Sequence, residues 1–325
     1  MKKIKSIIGI VLPMMMVMMI CKRYISRVKD KCRMFNHGES TSSKNSVNAT
    51  ATSYRRYRTS DEMRYILYGE GAKFSLYDAQ LIDYIRSQIT QQSPSRPRRL
   101  TTPPNITDVS QVGQSKFVDN LLSGRRDGFF IECGAADGET FSNSLFFELE
   151  RNWTGLLIEA NPHYHHALLD KNRRAYVLRT CLSTERRPAT VRIQPAGVLG
   201  GIVGKMHRSH LDFIGSMKKP EVEVNCFPLN AITEVLGVSH VDYLSLDVEG
   251  PEVEIFRTVD WIRLHIEVIT VEYYVHGKHM IDVRATLKKL AGLRQFFSDT
   301  GIYQEVGVLP HGKDIDGLDV VFSHI

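Results

Sequence analysis

Carboxylates and glycines crowd the stretch Phe129-Phe-Ile-Glu-Cys-Gly-Ala-Ala-Asp-Gly138. An apolar run delivers Glu132, then Gly134, where a missing Cβ lets a ligand approach the backbone, then Asp137 and Gly138. A second apolar run, Gly155-Leu-Leu-Ile-Glu-Ala-Asn161, ends in Glu159 and Asn161. Glu159 follows Gly134 by about 25 residues, the spacing at which a second-strand carboxylate meets a ribose diol. Two nucleotide-type ligands use such a layout. A dinucleotide rests its pyrophosphate on bare N–H groups at a helix N-terminus, and Glu132 and Asp137 would repel it. S-adenosylmethionine has an ammonium and a sulfonium and no phosphate, so the acidic loop selects it over NAD. The competing reading is structural: Asp137 or Thr140 caps the next helix and Gly134 only makes a turn.

A third run, Val241-Asp-Tyr-Leu-Ser-Leu-Asp-Val-Glu-Gly-Pro251, brings Asp247 and Glu249 to its carboxyl end. Gly250 breaks the strand, and Pro251 suits the first turn of a helix. Methyl transfer to a hydroxyl needs an in-line approach and a base for the proton, and Asp247 or Glu249 could be that base. Alternatively Glu249 or Glu252 only favours the positive helix end. A fourth run, Val268 to His276, places Glu272 and His276 near the same crevice, His276 as a base or substrate contact or as an ordinary loop histidine. No spacing demands a metal: a magnesium ion shared by Asp247, Glu249 and Glu272 is conceivable only. The five cysteines include no C-x-x-C pair, so zinc is not expected.

The elements that must hold these residues alternate. Strands are expected at Phe129–Cys133, Gly155–Glu159, Tyr176–Arg179, Val241–Leu246 and Val268–Tyr273, with a closing pair at Tyr303–Leu309 and Asp319–Ser323. Helices are expected at Lys116–Leu122, Ser142–Arg151, Tyr164–Arg173, Leu229–Leu236, Glu252–Thr258 and Ile281–Thr300. This alternation predicts an α/β fold, a Rossmann-like, doubly wound, mostly parallel sheet, with ligands beyond the carboxyl ends of its strands. The glycine-bearing segment Gln194–Lys219 has no readable period and is taken as a substrate loop.

In front of this domain, numbered 108–325, three further parts are expected. Ile7–Cys21 is almost wholly apolar. With Ile4 and a snorkelling Lys5 it reaches about 17 residues, the lower limit of a membrane span. No small-residue cleavage pattern precedes Lys22, so residues 1–21 read as a retained signal anchor. Residues 22–75 read as a flexible stem rich in Ser, Thr, Asn and basic side chains. Residues 76–107 read as one amphipathic helix within Leu76–Gln91 and a proline-rich linker. The chain carries 42 Lys and Arg against 36 Asp and Glu, net +6. The excess is concentrated beside the anchor and in the polar stretches, so nucleic acid is not an expected partner. Basic residues after the anchor favour a cytoplasmic domain. The sequons at Asn48, Asn105 and Asn152 point the other way. Cys181 and Cys226 could form a disulfide in an oxidising lumen or remain buried thiols.

FFIECGAADGE, WTGLLIEANP, VDYLSLDVEGPEVEIF and the terminal DVVF together resemble the FkbM-type methyltransferases, over about Val109 to Phe322. SQVGQSKFVDNLL, SNSLFFE, KNRRAY and CLS resemble the animal, Star-like branch, whose members also have an N-terminal anchor. The resemblance implies a class I methyltransferase fold, S-adenosylmethionine as cofactor and O-methylation of a hydroxyl on a glycan or small molecule. It implies cofactor contacts at Glu132, Gly134, Asp137 and Glu159, and a reacting end at Asp247 and Glu249. Cys133 stands where the wider family often has a small or aliphatic residue. The branch implies a single-pass protein of the endoplasmic reticulum or Golgi with a lumenal domain. Its alternative is a non-catalytic trafficking factor that assists export of growth-factor precursors, with a secretory cargo protein as partner.

Overall fold

The computed structural model describes residues 76–278, 280–310, 314–315 and 317–325. The anchor and stem expected within residues 1–75 lie outside the described residues. Among the described residues no helix is long and apolar enough to cross a membrane.

In chain order the elements are α1 (Ala79–Gln88), β1 (Ile89–Gln91), α2 (Gln114–Leu121), β2 (Phe129–Cys133), α3 (Leu145–Glu150), β3 (Thr154–Ile158), α4 (Pro162–Asp170) and β4 (Tyr176–Leu178). There follow β5 (Cys181–Leu182), β6 (Ala189–Gln194), β7 (Gly201–Ile202), α5 (Arg208–Ile214), β8 (Val222–Phe227), α6 (Leu229–Leu236), β9 (His240–Leu246) and α7 (Glu252–Thr258). The chain ends with β10 (His265–Glu272), the short strands β11 (His276–Gly277) and β12 (Met280–Ile281), α8 (Val283–Thr300), β13 (Tyr303–Leu309) and β14 (Asp319–His324).

Eight strands form the main sheet in the order β1-β4-β3-β2-β9-β10-β14-β13. The five from β4 to β10 are parallel, while β1, β14 and β13 pair antiparallel, so the sheet is mixed. The order reverses at β2, which has β3 on one side and β9 on the other, the switch point where such sheets bind ligands. This is the class I methyltransferase-like α/β arrangement.

Alternation along the strands divides the core. Ile131, Leu156, Leu244 and Ile269 pack on one face with Leu81 and Ile85 of α1, Ile232 of α6, Phe256 of α7 and Leu293 of α8. Phe130, Leu157, Val177, Tyr243 and Val268 pack on the other with Val118 of α2, Phe147 of α3 and Leu168 of α4. A strand buried on both faces favours apolar residues on both, as the Phe129-Phe-Ile131 run of β2 shows.

Two features depart from the sequence reading. Residues 76–107 are part of the domain rather than a separate unit. Asp78 caps α1 through Gln80 N–H and Leu81 N–H, α1 buries Leu81, Ile82, Tyr84 and Ile85, and β1 pairs with β4. The proline-rich stretch is then strapped down: Thr101 donates its N–H and hydroxyl to Glu139, and Asn172 donates to the carbonyls of Arg96 and Pro97. Second, the region taken as a substrate loop contributes to a four-stranded sheet, β5-β8-β6-β7, and contains α5. Cys181 of β5 and Cys226 of β8 face each other in register and form a disulfide.

Candidate functional site

The pocket opens at the carboxyl ends of β2, β3 and β9 and is closed over by the loop around Pro195–Gly201. Its floor depends on Gly134. A Cβ there would lie 2.0 Å from the carbonyl oxygen of Asp247, and φ is +85°, so only glycine lets the β2 and β9 ends come this close. Gly134 and Ala135 both donate to the carbonyl of Ile158, which ties the loop to β3.

Glu159 lines the pocket and is buried. It accepts N–H bonds from Ala136 (2.7 Å) and Asn161 (2.6 Å), one on each carboxylate oxygen. Both oxygens retain acceptor capacity, as two adjacent hydroxyls would require. Burial raises its carboxyl to about 7, against the pull of those backbone donors. Asn161, also on the pocket wall, caps α4 by accepting from His163 N–H.

Asp247 also lines the pocket. Behind it stand Glu249 and Glu272, the three offering oxygens within 4.8 Å of one another. The cation among them is Lys289 of α8, whose Nζ lies 3.1 Å from Glu252 and 3.8 Å from Glu272. That ammonium already supplies the counter-charge a metal would bring. Burial raises Asp247 to about 6, with Lys289 opposing. Burial and then the neighbouring Asp247 carry Glu249 and Glu272 well above the ordinary range. Burial opposes the Lys289 ammonium, but Glu252, Glu272 and Glu249 outweigh it and raise its pKa. Burial thus moves the carboxyls of Asp247, Glu249 and Glu272 towards neutrality.

The structure separates the residues singled out from the sequence. Gly134, Glu159, Asn161 and Asp247 share the pocket wall; Glu132, Asp137, Gly138, Glu249 and His276 are not on it. Glu132 faces inward and accepts from Ser142 Oγ (2.8 Å), Asn143 N–H (2.7 Å) and Ser144 Oγ, with Arg173 at 3.7 Å. Asp137 accepts from Glu139 N–H (3.0 Å), Thr140 N–H (2.7 Å) and Thr140 Oγ1 (2.9 Å), so it closes the turn before α3. Gly138, at φ +77°, makes that turn and its carbonyl accepts from Arg173. The acidity expected of this loop thus serves the loop itself. Glu159 and Asp247 carry the pocket's charge instead: two carboxylates line it and, among the described residues, no lysine, arginine or histidine does. That wall suits a cation with a ribose and no phosphate, which is the chemistry of S-adenosylmethionine.

Glu249 lies one step behind the wall, and His276 further out. The His276 ring stacks on Phe213 at 4.6 Å and meets His210 edge-on at 5.3 Å. Burial lowers His276 to about 3, so it is neutral at physiological pH. Lys289 and His210 were not singled out from the sequence. Lys289 is one of several lysines and arginines on an amphipathic helix, and His210 sits in a segment without period. Neither carries a local signal.

Comparison with solved structures gives low overall similarity throughout. A methyltransferase FkbM from Methylobacillus flagellatus KT is 15% identical with a TM-score of 0.39, over 68% of this chain and half of that one. Aeropyrum pernix fibrillarin, a complex with natively bound S-adenosyl-L-methionine, is 12% identical at TM-score 0.35, over 64% and 74%. A human methyltransferase 10 domain containing protein is 11% identical at TM-score 0.35, over 72% and 89%. A search of curated proteins by sequence finds no match. The model of the methyltransferase FkbM domain matches residues 132–297, from Glu132 at the end of β2 through Phe297 in α8. With just over half of its length matched and the pocket within that span, the chain belongs to the methyltransferase FkbM domain family, whose cofactor is S-adenosylmethionine.

Proposed function

We propose that this domain is an S-adenosylmethionine-dependent O-methyltransferase acting on a hydroxyl of a glycan or small molecule in the secretory lumen. The observation that carries the reading is the pocket wall, with Glu159 and Asp247 and no cationic side chain among the described residues. When bound, the cofactor supplies an electrophilic methyl on a positive sulfur. Glu159 holds the ribose hydroxyls, Asn161 fixes the start of α4 beside them, and Gly134 keeps the floor thin. Asp247 takes the proton of an acceptor hydroxyl, with Glu249 and Glu272 behind it. A carboxylate base serves this step because a hydroxyl loses its proton as the new bond to carbon forms.

Three observations support a lumenal setting. The disulfide Cys181–Cys226 is of the kind that persists in oxidising compartments. Asn105 and Asn152, each in a sequon, are exposed. The apolar run Ile7–Cys21 has the composition of an anchor. Calorimetry of the full chain with S-adenosylmethionine tests the cofactor: saturable binding is expected, and no heat at millimolar ligand would end the reading. A glycosidase mobility shift lost in Asn48→Gln plus Asn105→Gln plus Asn152→Gln is expected for a lumenal domain; a chain made in secretory cells without any shift would place it on the other side.

The Star-like stretches and the apolar N-terminal run favour a second reading, an anchored trafficking factor that uses the fold to hold a secretory cargo protein. Asp247→Ala separates the two. It should abolish methyl transfer and leave cargo export intact if the role is scaffolding.

A further inference from the structure

α5 brings one histidine into the interior. His210 is 3% exposed, and its Nε2 lies 2.9 Å from the carbonyl oxygen of Leu199. A carbonyl can only accept, so Nε2 carries the proton and Nδ1 of the neutral ring is left as an acceptor. Nδ1 faces Oε2 of Glu249 at 3.4 Å. An ionised carboxylate is also acceptor-only, so the contact sets two lone pairs against each other unless a proton lies between them.

Glu249 has little freedom to avoid this. It is 6% exposed and holds φ +62°, a left-handed conformation that persists in a non-glycine residue only where the surroundings impose it. Gly201 packs on it so closely that an added Cβ would stand 3.2 Å from the Glu249 Cβ. Gly201 and Gly200 are on the pocket wall, next to the Leu199 carbonyl that His210 grips. The imidazole therefore bridges the loop over the pocket to the acid behind it.

We infer that Glu249 and His210 share one proton between Oε2 and Nδ1, and that His210 is a positioning residue for the acidic group of the pocket. The pairing stands on the geometry alone; its role in proton removal rests on the methyl-transfer reading. The groups facing the pair are Lys289 of α8, Glu252 of α7, His207 at the start of α5, His276 of β11 and Asp247 after β9. Burial lowers the imidazole and raises the carboxyl, so the proton rests on Oε2 and is donated to Nδ1. When Asp247 passes the proton of an acceptor hydroxyl on to the other oxygen of Glu249, the O–H bond on Asp247 breaks and the shared proton passes from Oε2 to Nδ1. One O–H bond forms on Glu249, one breaks, and an N–H bond forms on His210. Glu249 stays neutral and the imidazole ends with the positive charge.

The test is a long-range proton–nitrogen correlation spectrum of the full chain labelled with ¹⁵N-histidine, the His210 signal assigned by its loss in His210→Gln. At pH 7 the ring should show the neutral Nε2–H pattern, with Nδ1 displaced from the free-acceptor shift, and no titration between pH 5 and 8. In Glu249→Leu the Nδ1 shift should return to the free-acceptor value. In Glu249→Gln, which preserves shape and still offers an N–H donor, it should fall between the two. A ring protonated on Nδ1, or one that titrates near the free value of about 6.5, overturns the proposal in the wild-type chain, whatever the variants do. An Nδ1 shift unchanged in Glu249→Gln overturns it too. Failure to bind S-adenosylmethionine by calorimetry would remove the methyl-transfer role and leave this spectrum unaffected.

Discussion

Two groups of buried acids divide the domain between them. Under the loop after β2, each carboxylate has its own donors. Glu148 meets Arg173, Arg98 and the N–H of Arg174; Glu139 meets Lys171, Thr101 and Thr102; Glu132 meets three donors of the Ser142–Ser144 turn. Arg173 is fully buried and reaches Glu148, Ser142, Ser144 and the Gly138 carbonyl together. At the pocket, Asp247, Glu249, Glu252 and Glu272 share Lys289. The pKa shifts run in opposite directions. Burial opposes ionisation of Glu139, but Lys171 and Thr102 outweigh it and lower its carboxyl to about 2. Burial raises Asp247 to about 6. An acid with its full complement of donors is locked into structure, whereas acids that outnumber their counter-charge keep protons they can trade.

Removing the hub of the first group should do the greater damage. Arg173→Met leaves Glu148 buried without its main partner, a change that costs about 3–5 kcal/mol. Denaturant unfolding checks this, and a loss below about 1 kcal/mol would erase the distinction between the groups. Lys289→Met should act differently, with a loss that grows as pH rises and its neighbouring acids ionise. The sign follows from proton binding. Asp247 binds its proton more tightly folded than unfolded, so its contribution is full below its ordinary value of 3.8 and is lost as pH rises through about 6. Glu139 is the reverse: its contribution is present above its ordinary 4.5 and is lost as pH falls through about 2. Asp247→Asn should flatten the neutral limb of a stability–pH curve and Glu139→Gln the acid limb.

The disulfide belongs to the pocket side, since Cys181 is on its wall. Cys181→Ser with Cys226→Ser should cost about 2–4 kcal/mol and weaken S-adenosylmethionine binding in the same protein. Loss of stability with unchanged affinity would show that β5 and β8 only brace the fold.

What the sequence disclosed follows from how local each signal is. β2, β9, α6 and α7 are legible because a buried strand or an amphipathic helix writes its period into neighbouring residues. Gly134 and Glu159 are legible because the turn after β2 and the end of β3 lie at a set distance along the chain. The roles of Glu132 and Asp137 are not legible. A carboxylate looks the same whether it meets a ligand or the hydroxyls of Ser142 and Thr140, and only packing shows which. The β5-β8-β6-β7 sheet escaped for a related reason, since its pairings, Cys181 with Cys226 and Ala189 with Cys226, join distant residues in strands as short as two residues. Lys289 meets Glu252, and His210 meets Glu249, across more than 30 residues of sequence.

Cofactor affinity gives a milder test of the same contrast. Glu159→Ala removes the carboxylate that faces the pocket. A charged hydrogen-bond acceptor is worth about 1.5–3 kcal/mol, so binding of S-adenosylmethionine should weaken by about 10–100-fold in calorimetry. Asp137→Ala should leave that affinity within about twofold, although Asp137 is the acid that first suggested a cationic ligand. Its cost should fall on the turn instead. Losing hydrogen bonds of this kind destabilises by about 1 kcal/mol, visible as a lower unfolding midpoint. A large affinity loss in Asp137→Ala at unchanged stability would return this carboxylate to the pocket. It would mean that the loop between Gly134 and Thr140 rearranges when the cofactor arrives, and that the two acidic groups are less separate than their hydrogen bonds make them.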